Sequence, residues 1–297
     1  MQDVIVIGGS FAGHSAAIQL ARARQSVLML DTGAPRNRFA DAAHGFLGQD
    51  GRAPHAIMRD AACQLLAYPT AEIRPMEAVE AWPEGEGFTV RLANGALCQG
   101  KRLVIATGVT DTLPDIEGMA ERWGETVLHC PYCHGYEVRD RPLGIIANNS
   151  MSAHQAALIP DWGPATYFTQ GAYEPDEEQA ALLARRGVAI ERTPVVALLG
   201  DAPRLAGVKL ADGRVVEMGA VFTAPSTRPT SPIAAALGCA MEDGPTGPFV
   251  KVDMWGATSV AGVYAAGDAT SPMHNATFAA ASGVLAGVGA HQSLVRA

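Results

Sequence analysis

"DVIVIGGSFAGHSAAIQLARARQSVLMLD" occupies residues 3–31. An apolar run at 4–7 stops at Gly8, positions 11–24 carry apolar residues at helical spacing, and 26–30 are apolar again before Asp31. Strand, glycine turn, helix and second strand make a βαβ unit. The turn reads Gly8-Gly9-Ser10-Phe11-Ala12-Gly13, a G-x-G-x-x-G pattern with Ser10 as its middle residue. A small residue there still lets backbone N–H groups approach a pyrophosphate at the helix N-terminus. Asp31 follows Gly13 by 18 residues, where a carboxylate accepts from the hydroxyls of an adenosine ribose. The stretch therefore predicts a dinucleotide-binding unit, with Gly8, Gly9, Ser10, Ala12, Gly13 and Asp31 as its contacts.

Beyond Asp31 the segment 33–52, "GAPRNRFADAAHGFLGQDGR", predicts no regular element. Its length suits a functional loop lying over a cofactor. Apolar runs at 87–92 and 97–104 flank Asn94-Gly95, a strong hairpin signal. "LVIATG" at 103–108 reads as a buried strand ending in a small-residue turn. Near Pro114 the pattern restarts: 142–159 reads strand, turn, helix, and "ATYFTQ" at 165–170 reads as the next strand. Here the turn, 147–152, contains no glycine, the strand ends in Thr169-Gln170, and no Lys or Arg follows until Arg185. A dinucleotide site needs close backbone approach and a partner for the ribose or 2′-phosphate. The second unit thus reads as structural, which leaves NADPH doubtful as a cofactor. Short strands with an Asp212-Gly213 turn fill 187–226 as a further sheet layer. The expected fold is α/β: two Rossmann-like three-layer domains, the second inserted into the first. The dinucleotide-binding first domain spans 1–112 and 233–297, and the insert spans 113–232.

At 297 residues the chain can bury two cores. A net charge of −8 with no run of Lys or Arg lacks the electrostatic footprint of a nucleic-acid binder. No basic leader precedes the first strand, so a cytoplasmic location is expected. Residues 269–295 carry no formal charge and are long enough to span a bilayer. They are built from Ala, Gly, Ser, Asn and His more than from large apolar residues, which predicts a tightly packed helix and no membrane partner.

Of five cysteines, Cys63, Cys98 and Cys239 stand alone and read as reduced, half-buried thiols. Cys130 and Cys133 lie in "LHCPYCHGYE" at 128–137. This pattern fits c-type haem attachment, half of a zinc site, or a redox-active disulfide.

"GGSFAG", "VIATG", the cysteine pair and "TSVAGVYAAGD" stand in an order and spacing that resemble the flavoprotein disulfide reductases of the small thioredoxin-reductase type. The resemblance covers essentially the whole chain. It implies FAD in the first domain, with Gly267 and Asp268 at the ribityl and phosphates, Asn275 and Ala276 near the flavin ring, and Thr107 and Gly108 lining the same pocket. It implies a redox disulfide in the insert, Cys133 towards the flavin and Cys130 towards substrate, and a homodimer. A c-type haem would require export machinery, and a zinc site two further ligands, so no metal is expected. His129 and His134 flank the pair and suit proton transfer near neutral pH. The resembled family carries Asp after the second cysteine; here that residue is His134, with Glu137 nearby.

"CPYCHGYE" looks more like the dithiol oxidases of this superfamily, which close disulfides in small natural products such as gliotoxin or holomycin. Those enzymes pass electrons from dithiol to flavin to oxygen. The resemblance therefore implies a dithiol oxidase acting on a small dithiol or disulfide, or on a thioredoxin-like protein. The alternatives are a disulfide reductase fed by NADPH, ferredoxin or reduced flavin, and a non-catalytic flavin redox sensor.

Overall fold

The structure is a computed structural model and describes residues 1–296. The chain divides into two compact units: Met1–Arg38 with Ala53–Thr110 and Thr227–Ala297, and Phe39–Arg52 with Asp111–Ser226.

In the first unit, β1 (Gln2–Ile7), β2 (Val27–Asp31), β3 (Ala71–Pro75) and β6 (Leu97–Ile105) run parallel in the order β3-β2-β1-β6. Strand Val263–Ala265 pairs in parallel with the second half of β6, and β4 (Ala78–Glu84) and β5 (Gly87–Leu92) extend its first half antiparallel. The segment read as two strands around 97–108 is one strand followed by a turn. Successive side chains of a strand face opposite ways, and here both faces are buried. Ile5, Ile7, Leu28, Leu30, Leu103 and Ile105 pack with β4, β5 and α6 (Ile233–Ala236). Val4, Val6, Val27, Met29 and Val104 pack with α1 (Phe11–Arg22) and α7 (Ala276–Val295), while α2 (Pro54–Leu66) adds Leu65.

Helix α7 is long and apolar enough to cross a membrane, yet it is built to lie against α1. A Cβ at Gly283 would overlap the backbone of Ala12, and one at Gly287 would meet the Ala16 carbonyl oxygen at 2.7 Å. Small residues at helical spacing let two backbones approach closely, which explains the composition of this segment.

In the second unit five parallel strands follow the order Ala189–Glu191, Ala165–Phe168, Leu143–Ile146, Ala220–Phe222, Val127–Leu128. Leu143, Ile145, Tyr167 and Phe222 face α4 (Ser152–Leu158) and α5 (Glu177–Arg185). Ile146, Phe168 and Val221 face an antiparallel sheet of Val195–Leu199, Gly207–Leu210 and Val215–Glu217. A four-residue helix, α3 (Pro131–His134), follows Val127–Leu128.

The unit boundaries differ from the sequence reading in three places, the first being that the second unit begins at Asp111, not 113. The chain returns to the first unit at Thr227, not 233, because the Thr227 N–H donates to the Thr246 carbonyl at 2.7 Å and the Thr230 N–H to that of Gly108 at 3.1 Å. Phe39–Arg52, placed by the sequence reading within the first domain, groups with the second unit. Gly124 packs against Phe39, and His44 approaches Glu137.

Candidate functional site

The first unit holds a cradle between β1 and α1. Gly8 has φ +103° and a Cβ there would overlap the Ala106 carbonyl; a Cβ at Gly13 would overlap the carbonyl of Gly8. Only glycine lets the turn fold this tightly onto the helix start. Ser10 is the N-cap of α1, yet its side chain does not cap, and no acidic residue occupies the first turn. The positive end of the twelve-residue helix therefore faces the turn with no acidic residue in its own first turn. Asp31 Oδ1 accepts from the Gly9 N–H at 3.0 Å, which fixes the carboxylate at the end of β2 beside the cradle.

Gly267 and Asp268 form a turn after Val263–Ala265. Gly267 has φ +77° and lies against Ala12, while its N–H donates to Ser282 Oγ on α7 at 2.9 Å. Asp268 accepts from Arg36 at 3.0 Å, a contact 232 residues apart in sequence. Asn275 is the N-cap of α7, its Oδ1 accepting from the Thr277 N–H at 2.8 Å, and Ala276 opens the helix. Thr107 and Gly108 form the turn after β6, Gly108 with φ +65°. The structure thus gathers β1, α1 and Gly267–Asp268 around one cradle, and its tight glycine turn fits a dinucleotide pyrophosphate.

The corresponding turn of the second unit is filled from within. Ser152 Oγ accepts from the N–H groups of Asn148 at 3.1 Å and Asn149 at 3.3 Å, and Asn149 Oδ1 takes the N–H of Met151 at 2.9 Å. Both Asn side-chain amides donate to the Ala224 carbonyl, at 3.1 and 2.9 Å. The N–H groups that would hold a phosphate are already satisfied. Gln170 has φ +55° and its amide is used on both sides by Val195: Oε1 accepts from the N–H at 2.8 Å and Nε2 donates to the carbonyl at 3.2 Å. The strand itself ends at Phe168, two residues before the sequence predicts.

Cys130 and Cys133 are joined in a disulfide with Cα atoms 5.3 Å apart, at the start of α3. Both are half-buried. Gly135 brings the turn onto the Trp162 ring, 2.9 Å from where a Cβ would sit. Tyr132, between the cysteines, is exposed and meets Trp162 edge-on at 5.7 Å. The His129 carbonyl accepts from Gln155 of α4 at 2.6 Å, tying the cysteine segment to that helix. Burial holds the pKa of His134 below its ordinary value; Glu137 pulls it up and His44 pushes it down. Its Nε2 is buried with no hydrogen-bond partner among the described residues. No cluster of metal-ligating side chains occurs among the described residues. Sequence reasoning singled out the cysteines, the histidines and the first cradle. It missed Ser152, Gln155, Arg36 and His44, whose partners are set by side-chain direction or by distant segments and leave no motif.

The family described as pyridine nucleotide-disulphide oxidoreductase matches residues 2–154 and 172–283. Thioredoxin reductase tcpT of Claviceps purpurea is 32% identical over 96% of this chain and 92% of its own length. The crystal structure of an oxidoreductase from Agrobacterium tumefaciens superposes with a TM-score of 0.95 at 45% identity, covering 99% of both chains. That of HlmI superposes with a TM-score of 0.93 at 38% identity, covering 99% of this chain and 93% of the other. With two Rossmann-like units, an open dinucleotide cradle and a C-x-x-C disulfide, the chain belongs to the pyridine nucleotide-disulphide oxidoreductase family and is a thioredoxin reductase-like, FAD-dependent enzyme.

Proposed function

We propose that this enzyme is a dithiol oxidase, closing the disulfide of a small substrate with oxygen as the final electron acceptor. The observation that carries the reading is the turn of the second unit. Ser152 and Asn149 occupy the N–H groups that a nicotinamide dinucleotide would use, and Gln170 is committed to Val195. In this reading the electrons come from a dithiol and not from a nicotinamide.

FAD, when bound, supplies two-electron exchange with the cysteine pair and the reaction with oxygen. In this reading Gly8, Gly9, Ser10, Ala12, Gly13 and Asp31 hold its adenosine and pyrophosphate. Gly267 and Asp268 take the ribityl and phosphate side, Arg36 steadies the Asp268 carboxylate, and Thr107, Gly108, Asn275 and Ala276 border the ring. The chain's own chemistry is thiol–disulfide exchange. Only a thiolate attacks a disulfide sulfur, so each exchange needs a proton taken from one sulfur and returned to another. Cys130 is the sulfur attacked by substrate, Cys133 the sulfur released. His134, kept neutral by burial, is the base that accepts a proton, and His129 flanks the opposite side.

The test is anaerobic reduction of the bound flavin by NADPH, NADH and dithiothreitol in parallel, followed by air. Dithiothreitol is expected to bleach the flavin readily and air to restore it, with slow or no bleaching by either nicotinamide. Rapid bleaching at micromolar NADPH would return the protein to the ordinary reductases.

A further inference from the structure

The 39–52 segment carries one imidazole to the redox centre of the second unit. His44 stands between two carboxylates: Nδ1 lies 3.5 Å from Asp50 Oδ1 and Nε2 lies 3.4 Å from Glu137 Oε1. Its side chain is 23% exposed, whereas Asp50 is 72% and Glu137 42% exposed, so the ring is the enclosed member. The Gly45 N–H donates to Asp50 Oδ1 at 2.8 Å, and a bridge between Ala43 and Arg52 closes the base of the loop. The loop is thereby braced on both sides of His44. Glu137 follows α3 by three residues, and it is the carboxylate whose field reaches the His134 ring.

We propose that His44, held between Asp50 and Glu137, is a positioning residue for proton transfer by His134 at the Cys130–Cys133 disulfide. The proposal rests on that disulfide being the redox centre. It does not depend on what finally accepts the electrons.

The step it serves balances within the dithiol half-reaction. A substrate thiol gives up its proton, its thiolate forms a bond to one cysteine sulfur, the Cys130–Cys133 bond breaks, and the released thiolate takes a proton. The second substrate thiol then loses its proton, its sulfur closes the substrate disulfide, and the other cysteine leaves as a thiolate that is protonated in turn. Two electrons and two protons pass from substrate to the cysteine pair. Within each exchange the proton taken from the substrate thiol must wait on a group beside the sulfurs until the cysteine thiolate receives it. His134 follows Cys133 directly, and its Nε2 has no competing hydrogen-bond partner among the described residues.

The charged or titratable groups facing His134 are Glu137 from its own turn and His44 from the loop, with Asp50 behind His44. Their effects oppose one another: the Glu137 carboxylate favours protonated His134, whereas His44 disfavours it. An acid–base group works best when its pKa lies near the working pH. His44 accordingly sets how much of the Glu137 field His134 experiences.

The experiment is the pH profile of anaerobic reduction of the holoenzyme by dithiothreitol, followed in a single turnover. Normalised to the dithiothreitol thiolate concentration at each pH, the rate should fall on the acid side as His134 takes up a proton, and His134→Gln should abolish that limb. His44→Gln and His44→Ala should move the limb to higher pH, and Glu137→Gln to lower pH. Each shift should be roughly half a pH unit or more, about threefold in rate at a fixed pH on the limb. Opposite movement in the two variants supports the proposal. A loss of rate with no movement of the limb, or movement in the same direction, overturns it, because a loop that merely folds slows the reaction without changing its titration. If NADPH reduces the flavin rapidly the oxidase reading fails, yet this profile still decides the role of His44.

Discussion

The Asn148 N–H donates to the hydroxyl oxygen of Ser152, 3.1 Å away, and the N–H of Asn149 reaches the same oxygen. One hydroxyl thus closes the second cradle, whereas Ser10 leaves the first open. Ser152 is fully buried, so removing the hydroxyl leaves two backbone donors without their partner. Ser152→Ala is expected to cost about 1–3 kcal/mol, two hydrogen bonds at their usual net worth, read as a lower denaturant midpoint. It should not confer reduction by NADPH, because Gln170 is still held by Val195 and offers no cation for a 2′-phosphate. Fast flavin bleaching by NADPH in this variant would show that Ser152 alone shuts the site.

Gly13→Val should separate α1 from the β1 turn, since the added carbon overlaps the Gly8 carbonyl. The expected outcome is protein purified with little flavin, measured as the ratio of visible to ultraviolet absorbance. Arg36→Ala should weaken retention less, because it removes one ion pair from Asp268 and leaves the turn intact. Equal flavin content in wild type and Gly13→Val would place FAD elsewhere.

The first cradle was legible because all its signals are local. The apolar run stops at Gly8, the helix begins within three residues, and Asp31 closes the next strand. The degenerate second turn was legible only as missing glycines; that Ser152 fills it depends on a side-chain direction no motif records. Phe39–Arg52 groups with the second unit, and a loop without periodicity carries no sign of which surface will receive it. The Arg36–Asp268 pair spans 232 residues, and neither residue implies the other. The Phe168 strand end was missed because Gln170 in a left-handed conformation turns the chain where its neighbours look extended.

Burial holds His14 and His134 below the ordinary pKa of 6.5. Just below pH 6.5 the unfolded chain binds more protons than the folded one, so stability rises with pH there. The contribution is complete above about 6.5 and is lost as pH falls through the folded values. Thermal midpoints should drop between pH 7 and 5, and His14→Leu should flatten part of that slope. Asp3 acts at lower pH: partial burial pushes its carboxyl up, but hydrogen bonds with Lys101 and Ser26 outweigh this and hold it at about 2. Its contribution disappears between about 4 and 2, which separates the two windows. An unchanged slope in His14→Leu would show that His14 is protonated as easily in the fold as outside it.

The cysteines allow a count as well as a rate. Cys63, Cys98 and Cys239 are free and Cys130–Cys133 is closed, so denatured resting protein should titrate three thiols per chain and reduced protein five. Cys130→Ser and Cys133→Ser should each titrate four without reduction, as the surviving partner is freed. Both variants should retain FAD, because the residues of the first cradle are untouched. Both should also lose dithiol turnover: exchange requires one sulfur to be attacked and a second to leave, and a serine oxygen does neither at neutral pH. Cys63→Ser, at an exposed site on α2 in the other unit, is the control and should keep wild-type turnover. Turnover surviving in both Cys130→Ser and Cys133→Ser would remove the pair from the chemistry.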